Sequence, residues 1–481
     1  MFASAFDSTK PSKRIIAGSP TGHDARVLAD IALRTHGKPV VHVALDDVRA
    51  AILADALAFF APHIEVLHFP AWDCLPYDRV SPHTDVLAQR ITTLNRLQQP
   101  FARPCLLLTT VNAIGQKTIA SEILRAVSLS LAIGNELPVE KLRQFLAANG
   151  YAMASTVREA GEYAVRGGIV DLFPPGYESP VRLDFFGDEI ESIRLFDPLS
   201  QTTTEKLQTL ELLPISEVLL DERTIAEFRQ RYRELFGTVT ESDPLYEAVT
   251  AGQKFPGVEH WLSLFYPRLV SLLAYVPQSP VVFDWQADEA FTSRYQQITD
   301  FYQARLSLYQ ANRRTKKKGQ AAAIYKPMPV DQLYIDPSVL EGELVSRAIA
   351  RLSPFAAAET SAIDAGGVRG RDFAESHGRP EADLYDSLHK YTHEHQANGK
   401  HVAIACYSQG SADRIAGLLR THGMNTLTTV KSWEEARKLD IKLIAFFIIG
   451  LEHGFVAPDL ALITEQDILG DRLIRDRKSV V

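Results

Sequence analysis

Along residues 14–124, short apolar runs alternate with longer stretches whose apolar residues recur at helical spacing. RIIAGS, PVVHVAL, IEVLHFPAW and PCLLLTTVNAI read as strands. TGHDARVLADIALRTHG, closing at Gly37, DDVRAAILADALAFFAP and HTDVLAQRITTLNRLQ read as helices. Strands alternating with helices of this length predict a parallel sheet covered by helices.

The rhythm changes near residue 125. ELPVEKLRQFLAANGY is a helix closed by Gly150, and GEYAVRGGIVDLFPPG and RLDFFGDEIESIRLFD then predict a small antiparallel sheet over 161–197. Within it, period-two alternation sends Val181, Leu183 and Phe185 to one face and Arg182, Asp184 and Phe186 to the other. An arginine beside a large aromatic on the wet face has the composition of an interface anchor. The local alternative is that Arg182 pairs with Asp184 or Glu162 and that Phe186 merely caps the sheet.

After Pro198 the chain returns to strand-like alternation, two helical stretches, two strands in SLLAYVPQSPVVFDW, and a long helix from ADEAFTSRYQ. The expected organisation is an α/β domain with a first segment, 1–124, and a return segment, 198–357, split by an α+β insertion at 125–197. A Gly-rich linker, 358–374, a further α/β domain, 375–470, and a charged tail, 471–481, follow.

Composition narrows the function. With 481 residues, 46% hydrophobic and 23% charged, the chain is a multidomain globular protein. A net charge of −8 argues against a coat for duplex DNA. Three widely spaced cysteines, Cys74, Cys105 and Cys406, suit a reducing compartment and offer no metal spacing. The polar start and the lack of any run of about 18 apolar residues predict a cytoplasmic protein without a membrane span. Basic RRTKKKG, 313–319, reads as a solvated loop, with nucleic-acid contact as the alternative. The loop FPAWDCLPYDRVSPH, 69–83, either pins itself to the domain through Trp72 and Tyr77 or forms an aromatic groove.

Catalytic motifs are missing. The turn after the first strand, GSPTGHDAR, occupies the place of a phosphate loop and keeps Gly18 and Gly22. His23 stands where lysine is needed and Asp24 where the Mg²⁺-binding hydroxyl belongs, so this is a degenerate nucleotide loop. No DExx box follows a strand, and neither HExxH nor GxSxG occurs. No catalytic residue, metal or cofactor is expected.

Three stretches, AWDCLPYDRVSPH, the pair GEYAVRGGIVDLFPPG…RLDFFGDEIESIRLFD, and EHGFVAPDLALITEQDILGDR, closely resemble the N-terminal portion of the bacterial transcription-repair coupling factors (Mfd). The likeness runs through residues 14–475 with the motifs in the family's order, and the paired strands are shared with the excision-repair protein UvrB. The resemblance implies a helicase-like first domain that has lost nucleotide binding, an inserted sheet that docks UvrA, and the family's third domain. It carries the UvrA contact onto Arg166, Arg182 and Phe186. RNA polymerase, duplex DNA, ATP and Mg²⁺ are handled by family domains expected to be absent from this chain. The alternatives are a UvrB-type ATP-dependent repair subunit and a remnant with no partner.

Overall fold

The computed structural model describes residues 6–35, 37–239, 243–315, 325–357, 362–373 and 381–470. A seven-stranded sheet organises the first unit. Its order is Ile363–Asp364, Ser12–Ala17, Ala348–Leu352, Val281–Phe283, Val40–Ala44, Cys105–Thr110 and Glu65–Phe69, and every pairing is parallel. Both faces are covered, so successive residues serve different cores. Val41, Val43, Val281 and Phe283 pack with Phe228, Trp261 and Phe291 on one side. Val40, Ala44 and Val282 pack on the other with the helices His23–Arg34 and Asp47–Phe60.

The insertion has its own core. Six strands run in the order Thr203–Leu207, Glu189–Phe196, Val181–Phe186, Ile169–Leu172, Glu162–Arg166 and Ala152–Met153. All neighbours are antiparallel except the last pair. Leu142 and Leu146 of the helix Val139–Ala148 close one face against Tyr163, Val170, Leu183 and Ile193. A separate antiparallel pair, Leu129–Ala132 with Thr209–Leu212, lies where the chain enters and leaves. The return therefore begins later than the expected residue 198. Asp197 ties down a turn, its Oδ1 accepting from Leu199 N (3.1 Å) and Ser200 N (2.6 Å), and the chain folds back as another strand of the same sheet. Pro198 marks a hairpin turn rather than a boundary.

Two further corrections concern the return and the linker. In SLLAYVPQSPVVFDW only Val281–Phe283 is a strand, whereas Leu272–Tyr275 is a 3₁₀ turn. Within the expected linker, Ile363–Asp364 joins the edge of the first sheet and Val368–Arg369 joins the edge of the third. That segment is a crossover with backbone hydrogen bonds to both. The third unit has six strands, Val368–Arg369, Phe455–Val456, Leu460–Thr464, His401–Cys406, Ile444–Ile448 and Leu427–Thr429, parallel except at the first two. The tail 471–481 and the residues 316–319 of the basic run lie outside the described residues. The loop 69–83 packs inward: Trp72 and Tyr77 are buried, and the Tyr77 ring lies 5.6 Å from that of Tyr302.

A fully buried ion pair fastens the insertion's exit to the first unit. Arg90, on the helix Thr84–Arg96, donates from Nε to Glu217 Oε2 (2.8 Å) and from Nη1 to Gln116 Oε1 (3.1 Å) and Pro70 O (2.9 Å). Its guanidinium lies 4.2 Å from the Phe69 ring centroid. Glu217 also accepts from Thr118 Oγ1 and from Trp72 Nε1 (3.4 Å). Because both charges are fully desolvated, removing one strands the other. Glu217→Ala should cost about 3–5 kcal/mol, read as a shifted urea midpoint, whereas a double replacement of Arg90 and Glu217 by apolar residues of similar volume should cost much less.

Candidate docking face

Two glycine hairpins build the exposed tip of the inserted sheet. Gly167 and Gly187 adopt φ +61° and +64°, the left-handed region that two-residue hairpin turns require. Gly168 is needed for another reason: a Cβ there would sit 2.8 Å from the Phe185 carbonyl oxygen. Both turns lie at the same end of the sheet. Arg166 faces Ile169, Ile169 faces Asp184, and Phe186 follows Asp184 by two residues. Arg166, Ile169, Asp184 and Phe186 therefore share one face, with Arg166 and Phe186 two strand spacings apart across the sheet and two residues apart along it, about 12 Å.

The three candidate anchors differ in how free they are. Phe186 is 79% exposed. Arg166 is exposed and leans on its neighbouring loop, donating to Ser155 O and to Thr156 Oγ1 (3.2 Å). Arg182 is a correction to the expectation of a solvent-facing guanidinium. It is mostly buried, donating in a two-pronged pair from Nε to Asp171 Oδ1 (2.6 Å) and from Nη2 to Asp171 Oδ2 (2.8 Å), and from Nη2 to Gln201 Oε1 (3.2 Å). It also covers the Phe196 ring at 4.6 Å. Its partner is Asp171, directly opposite in the register, and neither Asp184 nor Glu162. Asp184 is taken instead by Ser192 and Arg194. The half of the outer face around Arg182 thus has a small core of its own, formed by Val157, Ala164 and Phe196, while the tip half is open.

The degenerate loop is closed. Gly18 and Gly22 take φ +66° and +90°. His23 is buried, with Nε2 3.1 Å from Ala365 O. Burial, helped by the nearby Arg26 charge, pulls the His23 imidazole down to about 4. Asp24 is buried too and caps its own turn, accepting from Gly22 N (2.9 Å) and Ala25 N (2.7 Å). It pairs with Arg49, whose Nε lies 3.0 Å from Asp284 Oδ2. Asp284 is the residue the sequence reading missed. It follows the strand Val281–Phe283, where an acidic box would begin, and the signal was a single aspartate closing the apolar run VVF.

Comparison with known proteins agrees with this geometry. Residues 129–217 match the UvrB interaction domain family, and residues 394–468 match the family described as MFD, D3 domain. The transcription-repair-coupling factor of Escherichia coli is 30% identical over 475 residues, covering 98% of this chain and 39% of that protein. That of Haemophilus influenzae is 33% identical over 291 residues, 60% of this chain and 25% of that protein. That of Myxococcus xanthus is 38% identical over 238 residues, 46% of this chain and 19% of that protein. The fold and the matched domains define a UvrB-like module carrying an interaction domain and joined to a D3 domain. Over this region the chain is similar to the N-terminal part of the transcription-repair-coupling factors, and it spans about two fifths of the length of the Escherichia coli relative. Among the described residues no helix is long and apolar enough to cross a membrane.

His23 yields a pH prediction. Its folded value of about 4 lies below the ordinary 6.5, so its stabilising effect is complete above pH 6.5 and is lost as pH falls toward 4. The expected loss is about 1.4 kcal/mol per pH unit in that window. His23→Gln should flatten this part of the stability–pH curve, measured by chemical denaturation at several pH values.

Proposed function

We propose that this chain recruits UvrA to stalled transcription complexes in the cytoplasm, and that the tip of the inserted sheet is the contact. The observation that carries this reading is Phe186, a phenyl ring held 79% exposed at a hairpin tip on the same face as Arg166. An aromatic anchor with a neighbouring guanidinium is the composition of an energetic centre in protein interfaces. Arg166 supplies charge-assisted hydrogen bonds to acidic groups of the partner. Arg182 acts mainly from behind: its pair with Asp171 and its contact with Gln201 hold Val181–Phe186 against the neighbouring strand and the turn after Asp197. RNA polymerase, duplex DNA, ATP and Mg²⁺ belong in this proposal to other parts of the family's architecture.

Titration of purified UvrA with this chain tests the assignment. Phe186→Ala should weaken binding about 30-fold, or about 2 kcal/mol, without lowering the melting temperature. Arg166→Ala should weaken it by about 1 kcal/mol. Arg182→Ala should lower the melting temperature as well as the affinity, because it leaves the buried Asp171 carboxylate unpaired. Equal affinity of the parent and all three variants would remove the site.

A further inference from the structure

The turn that should cradle phosphates is covered by the chain itself. Gly367 donates from its backbone to Gly18 O (3.0 Å), and Gly18 donates to Phe355 O (2.7 Å). The approach is so close that a Cβ on Gly18 would meet Gly367 O at 2.9 Å and Asp364 Oδ1 at 2.8 Å, and one on Gly367 would collide with His23. A Cβ on Gly22 would meet the Phe455 ring at 2.9 Å and Leu451 at 3.0 Å. Phe455 lies on the second strand of the third sheet, between Arg369 and Leu462, and its ring centroid stands 5.5 Å from that of His23. One turn along the same helix, Arg26 donates from Nη2 to both oxygens of Asp459 (2.8 and 2.6 Å) and lies 4.9 Å from the Trp433 ring.

The contact continues into a common core. The helices His23–Arg34 and Asp47–Phe60 lie between two sheets: Val27, Leu28 and Leu57 share one buried cluster with Val40 and Val282 of the first, and the same cluster takes in Leu451 and, around the Phe60 ring, Trp433, Phe447 and Phe455 of the third unit. The metal's place is occupied as well. The Arg49 guanidinium stands between Asp24, at the position of the metal-binding hydroxyl, and Asp284, at the end of the strand where an acidic box would begin.

We propose that the abandoned nucleotide seat of the first unit is a socket whose occupant is this chain's own third unit, with Phe455 and the Ala365–Gly367 backbone standing where phosphates would lie. The seat is a structural joint. It makes the first and third units one cooperative body and turns the glycines of the crossover into contact residues. The loss of lysine fits this role, because a lysine at position 23 would project a charge into the space that the Phe455 ring fills.

Hydrogen–deuterium exchange on the full chain tests the joint. In the parent, amides of 363–369 and 18–24 should be protected to the same degree as the strand Val40–Ala44, and ATP with Mg²⁺ should not change them. Phe455→Ala should speed exchange at both segments at least tenfold while leaving the inserted sheet at 162–196 unchanged. Arg26→Ala, which leaves the apolar plug in place, should produce a smaller acceleration, about threefold, at the same segments and serves if the first variant does not fold. Fast exchange at 363–369 in the parent, unaltered exchange in the variant, or ATP-induced protection of 18–24 would each overturn the proposal.

Discussion

The ion pair between Arg90 and Glu217 is the constraint on which the relation of the inserted sheet to the rest of the molecule depends. Both side chains are fully buried, and every polar partner within reach is turned toward them: Gln116, Thr118, Trp72 and the carbonyl of Pro70. Isolated charges at such depth would be strongly unfavourable, so the arrangement tolerates little displacement of any partner. Glu217 comes five residues after the last strand of the entry–exit pair, and Arg90 sits on a helix that covers the first sheet. The geometry of the pair therefore fixes where the insertion leaves the first unit.

The alternation of strands and helices in 14–124, the antiparallel hairpins and the later α/β unit were legible in the sequence because each segment buries a regular apolar pattern. The boundaries were not. Residues 203–206, polar and exposed, lie on a sheet edge, where pairing by backbone leaves no apolar signature. The crossover looked like a linker because its residues are small, but that smallness is a requirement of close packing: at Gly18 and Gly367 there is no room for a side chain. Composition does not separate a glycine that frees the chain from one that lets two backbones meet.

The same division runs through the docking face. Alternation correctly placed Arg182 and Phe186 on the outer face of their strand, but facing outward and being free are different properties. The distinction lies in the register, which sets Asp171 opposite Arg182 and leaves nothing opposite Phe186 except the exposed Glu189. Counting back from the Gly167–Gly168 turn sets Asp171 opposite Ala164, whereas its pairing with Arg182 is made across the longer 173–180 connection, whose length does not by itself fix a register. The degenerate loop shows in the sequence as His23 and Asp24 in place of lysine and hydroxyl. Its burial depends on Phe455, more than four hundred positions away, which no local pattern discloses.

A phenyl ring displayed on a hairpin tip is also a hazard, since two such tips would adhere to one another. The ring is bracketed by Arg166, Asp188 and Glu189, all exposed. Both signs of charge are present, so two identical tips must desolvate several ions before the rings touch. Gatekeeping of this kind suppresses self-adhesion and coagulation while leaving the ring accessible to a surface that offers each charge a counterpart.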